Sequence, residues 1–314
     1  MREVTGVKNT GPQFKRASCV ASTLSVPELD QGPPDRYYLR GGKMDSQLEE
    51  KLENLKRTIQ ASGSALVAFS GGVDSSLLLK ATRDALSDRV VALTFRSVLS
   101  PPGEVEAARE ITRDLGAEHL VLDIEPLDLE EIRANSPERC YYCKKNLAVI
   151  LKREAEKRGL NAVLEGGNAD DYLAYRPGGR AVIEAGLKSP LKEAGLSKAE
   201  VRSLARNLGL KNWDRPALPC LATRFPYHTT LTPEVLKQVF EAEKLMAEHG
   251  LFGGRARHHG DILRLELPPG LMKRLAEEGL RQALVKGCRA LGFKFVTLDL
   301  AGYRSGVFDK KDSN

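Results

Sequence analysis

No run of about 18 consecutive apolar residues occurs in the chain, which excludes a membrane-spanning helix on length alone. Net charge is scarce too. Lys and Arg exceed Asp and Glu by six, and three of those six fall in residues 1–43, which hold seven basic and four acidic side chains. The remainder is too mildly basic for the broad cationic groove that nucleic acid requires, which argues against RNA or DNA as a partner. A secretory apolar segment is also missing, and the cysteine count is odd, at five. Together these point to a reducing compartment, the cytoplasm, and to thiols kept for chemistry or metal. Neither Gly-x-x-x-x-Gly-Lys-Ser/Thr nor Gly-x-Gly-x-x-Gly is present, so the commonest nucleotide-binding loops are ruled out.

What is present is an ordinary globular composition. With 314 residues, 41% hydrophobic and 29% charged, the chain is long enough for two domains with conventional cores. Residues 1–43 lack an apolar period and carry Gly11-Pro12, Gly32-Pro33-Pro34 and Gly41-Gly42, so disorder is expected there. The acids Glu3, Glu28 and Asp30 argue against a transit peptide. Cys19 lies in this tail and receives no role. The helix-like DSQLEEKLENLKRTIQAS follows Met44, which would serve as a start to the folded chain.

From residue 65 strands and helices alternate: ALVAF, a helix over 74–87, VVALTF, a helix near 104–115, HLVLDI, a helix through 139–158, and AVLEG. This order predicts an α/β fold, a doubly wound parallel sheet. After Pro216 the pattern changes. Helical runs at 233–248 and 271–290 enclose RARHHG, ILRLEL and FKFVTLDL, which reads as a smaller C-terminal α+β domain. The expected division is a tail over 1–43, a nucleotide domain over 44–215, a substrate or assembly domain over 216–308 and a short tail over 309–314.

The stretch FSGGVDSS at 69–76 stands between the first strand and its helix. Glycines bring the backbone close to a ligand, and a helix start supplies free N–H groups and the positive end of a dipole. Ser70, Gly71, Gly72, Asp74, Ser75 and Ser76 therefore form a candidate phosphate cradle. The segment resembles the SGGxDS loop of the N-type ATP pyrophosphatases, which implies ATP as the nucleotide. Ligands of such sheets bind beyond the carboxyl ends of the strands, where Glu165-Gly166-Gly167-Asn168-Ala169-Asp170-Asp171 also falls. There Gly166 and Asn168 are candidate nucleotide contacts. Asp171 is a candidate ligand for the Mg²⁺ that ATP chemistry needs, and a helix N-cap is the alternative for these acids. Thr94, Phe95 and Arg96, closing the second strand, are nucleotide neighbours by position.

RCYYCKK places Cys140 and Cys143 three apart in the first turns of a helix. Cys-x-x-Cys alone is ambiguous among a redox pair, a zinc half-site and an iron–sulfur half-site. Cys220, in the Pro-flanked LPCLATRFPY, adds a third thiol. Three thiolates on a [4Fe–4S] cluster leave one iron open; zinc wants a fourth ligand, which His228 would supply. Cys288, within an apolar helix, reads as core.

Three further segments extend the resemblance: EGGNADDYLAYRPGGRAVIEAGLKSPL, WDRPALPCLATRFPY and GFKFVTLDLAGYRSG. With the SGGxDS loop they resemble, in order and over roughly residues 45–308, the LarE family of ATP-dependent sulfur transferases. The resemblance implies adenylation of carboxylates of pyridinium-3,5-biscarboxylic acid mononucleotide and their conversion to thiocarboxylates. The product belongs to the synthesis of the nickel-pincer nucleotide cofactor. In one branch of the family a cysteine matching Cys220 surrenders its own sulfur. In another, cysteines matching Cys140, Cys143 and Cys220 hold a [4Fe–4S] cluster thought to carry an extra sulfide. All three are present here, so the cluster branch is expected, with a sulfide or sulfur donor as partner and assembly into a homo-oligomer.

Arg255 and Arg257 alternate on a predicted strand and resemble the family's basic pair for the substrate phosphate, with Arg224 and Arg304 as weaker candidates. A solvated basic face is the plain alternative. The family often has Gly at His228, Asp at Ala174 and Ser at Thr223; the second difference removes a carboxylate near the Mg²⁺ loop. A tRNA thiolase and an amide-forming synthetase of the NAD or GMP type share the loop. The first requires a basic groove, and the second has no use for three cysteines. An ATP-sensing module would need neither the loop aspartate nor an arginine-rich second domain.

Overall fold

The structure is a computed structural model that describes residues 39–40, 43–172, 177–216, 218–304 and 308. The expectations for the tail, Cys19, Ala174 and the last residues lie outside these. Residues Arg36–Asn314 form one compact unit. Its first helix, α1 (Ser46–Gln60), is capped by the Asp45 carboxylate, which accepts the Gln47 N–H at 2.8 Å, and buries Leu48, Leu52, Leu55 and Ile59 at helical spacing.

Four strands make the main sheet: β1 (Ala65–Ala68), β2 (Val90–Arg96), β3 (Glu118–Asp123) and β4 (Ala162–Leu164). All pairs are parallel, in the order β3-β2-β1-β4, with Ala65 in register with both Val90 and Ala162. Helices α2 (Val73–Leu86), α3 (Glu104–Asp114) and α4 (Arg139–Lys157) provide the connections, as the alternation predicts. Leu77, Leu78 and Leu79 are all sealed from solvent, so the middle of α2 is covered on more than one face, while Lys80 and Asp84 keep a polar edge in water. The chain runs outward from β1 to β3 and then returns to β1's other edge. The carboxyl ends of β1 and β4 thus flank the switch point, where an open α/β sheet receives its ligand.

Beyond α5 (Pro177–Glu184) and α6 (Lys198–Asn207) comes the second sheet: β5 (Arg255–His259), β6 (Ile262–Glu266) and β7 (Phe295–Leu298). β6 runs antiparallel to β5 and parallel to β7. Helix α7 (Pro233–Glu248) starts at the Thr232 cap with Pro at its first position, and α8 (Glu278–Ala290) follows two short turns. The single helix expected over 271–290 is broken because Glu277 is extended, with ψ 113°. Leu99, from a loop of the parallel sheet, and Ile132, from the short helix Glu130–Arg133, join Leu221, Phe225 and Leu236 in one apolar cluster. That cluster anchors the segment carrying Cys220.

Candidate functional site

Gly71 has φ +71°, and a Cβ there would lie 3.3 Å from the Ala108 backbone, so the loop after β1 packs against α3 with no room for a side chain. Gly72 caps α2 without any side-chain bond, leaving the first N–H groups of that helix to a ligand. Ser75 donates to the Gly72 carbonyl at 3.0 Å and lies 3.2 Å from the Ser70 hydroxyl. From behind, buried Asn212 donates to the Gly71 carbonyl at 3.0 Å and to the Ser76 hydroxyl at 2.9 Å. The cradle is therefore rigid before any anion arrives. Thr94 serves it structurally, donating to the Phe69 carbonyl at 2.8 Å.

The second loop meets the first: a Cβ on Gly166 would lie 3.1 Å from the Ser75 nitrogen. Asn168 donates to Asp74 Oδ1 at 3.0 Å, and Lys198 forms an ion pair with the other oxygen of Asp74. Lys198 was not among the predicted residues. It sits at the first position of α6, where the Ser197–Glu200 capping box fixes the helix start and its own N–H bonds to Asp170 at 2.8 Å. Ser-Lys-Ala-Glu ahead of an apolar period is the sequence signal that marks this helix start. Asp171 accepts the Asn168 N–H at 3.0 Å, the turn-capping use set beside the Mg²⁺ reading. Arg96 points away from the cleft and forms an exposed pair with Asp123, while Phe95 and Ser97 line it.

The cleft comprises cavities of about 600 and 830 Å³ that share Ser70, Gly72, Asp74 and Lys198, a size fit for small-molecule ligands. The first runs over Phe69, Leu93 and Phe95 to Cys143 and Cys220; the second reaches Cys140 and is rimmed by Arg139, Arg180, Arg202 and Arg215. Glu104, at the start of α3, borders both. Burial pushes its carboxyl up to about 7, against the opposing bond from Ser100.

The three thiols converge on this cleft from α4 and from the loop before residue 221. Burial first, then Cys220 and Cys140, pushes Cys143 up to about 12. Desolvation, with Cys140 adding, pushes Cys220 up to about 11, against the Ala222 N–H and the charges of Arg139 and Arg224. Cys220 is crowded by protein yet exposed at its cleft face, as is Cys140; the exposed face is the one a reactant meets, and water there offsets part of the crowding. Among the described residues no three His, Cys, Asp or Glu side chains stand close enough together to hold a single metal ion, and His228 joins no such group. Cys143 feels the charge of both Cys140 and Cys220, and Cys220 that of Cys140.

Arg224, Arg255 and Arg257, the candidates for the substrate phosphate, sit in the second sheet and the Cys220 loop. Each is buried, and none lines either cavity. Arg224 grips Glu243 through Nε and Nη2 at 2.8 and 2.9 Å, and its Nη1 donates to the Pro219 carbonyl at 2.7 Å. Arg257 pairs with Glu266 at 2.8 Å and donates to the Thr223 carbonyl at 2.6 Å. Arg255 donates to the Gly254 carbonyl and stacks on Tyr303. Arg224 and Arg257 thus lash the Cys220 loop to α7 and the second sheet. Arg304 follows Tyr303, and Ser305 and Gly306 after it lie outside the described residues.

A family described as NAD synthase matches residues 46–151. An uncharacterized protein of Synechocystis is 40% identical over 84% of this chain and 98% of its own length. The pyridinium-3,5-bisthiocarboxylic acid mononucleotide synthase of Lactiplantibacillus plantarum is 40% identical over 76% of this chain and 87% of its own. The ammonia-dependent NAD synthetase of Aeropyrum pernix is 34% identical over 50% of this chain and 58% of its own.

Proposed function

The chain belongs to the LarE family, and we propose that it converts carboxylates of pyridinium-3,5-biscarboxylic acid mononucleotide to thiocarboxylates at the expense of ATP. It is an ATP-dependent sulfurtransferase. The observation that carries the substrate reading is the meeting of the SGGxDS cradle and three thiols, from segments far apart in sequence, on one cleft.

The residues divide the work as follows. N–H groups at Gly71, Gly72 and the start of α2, with the Ser70 and Ser75 hydroxyls, hold the departing phosphates. Lys198 neutralises charge that grows on pyrophosphate, and Asn168 keeps Asp74 oriented beside it. Mg²⁺ accompanies the triphosphate, with Asp74 and Asp171 as the cleft carboxylates that would reach it. The substrate carboxylate attacks the α-phosphorus, and pyrophosphate leaves. A sulfur nucleophile then adds to the acyl carbon, and AMP departs with the former carboxylate oxygen. The apolar first cavity accommodates the adenine and excludes water that would hydrolyse the adenylate.

Cys140, Cys143 and Cys220 would hold the [4Fe–4S] cluster, which when bound supplies an open iron for sulfide. Without it, Cys220 is the thiol placed to give up its own sulfur. The test is anaerobic turnover with ATP and the pyridinium dicarboxylate, following pyrophosphate and the mass of the nucleotide. Exchange of oxygen for sulfur is expected, with iron and acid-labile sulfide in the protein. In Cys140→Ala both should fall and multiple turnover should cease, one turnover surviving if Cys220 acts alone. Pyrophosphate release with no sulfur gained, or amide formation from ammonia by an iron-free protein, would sink this reading and favour an amide-forming synthetase.

A further inference from the structure

Arg139, the first residue of α4, is 5% exposed and borders the arginine-rimmed cavity next to Cys140. Among the described residues its guanidinium has no carboxylate and no hydrogen-bond acceptor; its contact is the Tyr227 ring, 4.7 Å from the centroid. The other buried arginines are differently placed. Arg224 and Arg257 each hold a glutamate, and Arg255 donates to a backbone carbonyl. The five donors of Arg139 open on the cavity, unclaimed by any acceptor of the described protein and available to a ligand. Arg139 also stands near enough to Cys143 and Cys220 for its charge to act on both. The missing partner is thus an anion presented between this cavity and the thiols.

A planar fork against a planar acceptor favours a carboxylate, and a phosphate has Arg180, Arg202 and Arg215 on the same cavity's rim. We infer that Arg139 receives a ring carboxylate of the pyridinium substrate and so orients the ring toward the three sulfurs. This rests on the substrate reading given above. Arg139 is then a specificity-determining residue: it distinguishes a carboxylate from an uncharged group at the same ring position.

Two commercially simple probes isolate that distinction. Nicotinic acid mononucleotide and nicotinamide mononucleotide share the cationic ring, ribose and phosphate, and differ only in carboxylate against carboxamide. Equilibrium binding of each is to be measured on the full chain, on Arg139→Gln and on Arg139→Lys, with iron content and melting temperature recorded for each preparation. Wild-type protein should prefer the acid by about tenfold or more. Arg139→Gln should bring the two affinities together, chiefly by weakening the acid, and Arg139→Lys should restore part of the preference. A preference that survives in Arg139→Gln overturns the inference, as does equal weakening of both probes. Loss of iron in that variant with the preference intact would make Arg139 a counter-charge to the metal centre instead. Wild-type protein that binds neither probe would overturn the substrate reading itself, and this inference with it.

Discussion

Replacing Arg224 by Met removes a side chain that is wholly buried and nearly saturated. Its Nε and Nη2 hold Glu243, and its Nη1 serves the Pro219 carbonyl at 2.7 Å and the Cys220 carbonyl at 3.2 Å. Removing one partner of a buried ion pair costs about 3–5 kcal/mol, since the other charge remains without water or counter-ion. The two carbonyls lose on the order of 1 kcal/mol each. At roughly 2–4 °C per kcal/mol for a chain of this class, melting should fall by about 10 °C or more. The double variant Arg224→Met with Glu243→Leu removes the stranded charge. It should recover about half of the loss and no more, because Glu243 also accepts the Ala256 N–H at 3.2 Å and leucine cannot. Thermal melts followed by near-ultraviolet circular dichroism, beside KM for the pyridinium nucleotide, provide the measurement. A single variant that melts within about 2 °C of wild type while its KM for the nucleotide rises tenfold would refute the reasoning and return Arg224 to the substrate.

Two other substitutions probe the cleft. Gly71→Ala must adopt φ +71° and push a methyl to 3.3 Å from the Ala108 backbone; about 1–2 kcal/mol of strain and at least a tenfold loss of pyrophosphate release are expected. Gly116→Ala, at φ +60° with nothing within 4 Å, should show similar strain and unchanged release, and equal losses in the two variants would contradict the close-packing argument. Glu104 offers a pH test. Its carboxyl is raised from 4.5 to about 7, so the folded state binds the extra proton between those values. The stabilising contribution is full below about 4.5 and disappears as pH rises through 7. Glu104→Gln should therefore stabilise the protein by about 2 kcal/mol at pH 8, allowing for solvent contact, and leave it nearly unchanged at pH 5. Urea unfolding at both pH values reads this, and the same shift at each would show that burial does not govern Glu104.

Much of the architecture was legible because periodicity is local. Four apolar runs alternating with helical patterns sufficed for the parallel sheet, and the composition of SGGVDSS marked the turn before α2 as the candidate phosphate cradle. Cys140 and Cys143 share the first turns of α4, as their spacing predicts, while a common site with Cys220 was implied only by the resemblance to the LarE family. The arginines were less legible. Arg255 and Arg257 alternate as a strand requires, but whether that face meets water depends on Glu266, which β6 supplies across the sheet, and on the Cys220 loop lying above it. The break in the helix expected over 271–290 likewise follows from backbone geometry at Glu277 rather than from any proline.

Local order, the candidate phosphate turn and the supply of thiols are properties of short segments, so the proposed chemistry could be read one stretch at a time. Which charges are latches and which face the cleft is decided only when distant segments meet. Lys198 reaches Asp74 across 124 positions, and Asn212 reaches Gly71 across 141. Arg224 finds a glutamate in α7, while Arg139 is buried beside the thiols without one. The physical reason is that a charge takes its role from burial and from its counter-ion, and both belong to the folded surroundings rather than to the residue.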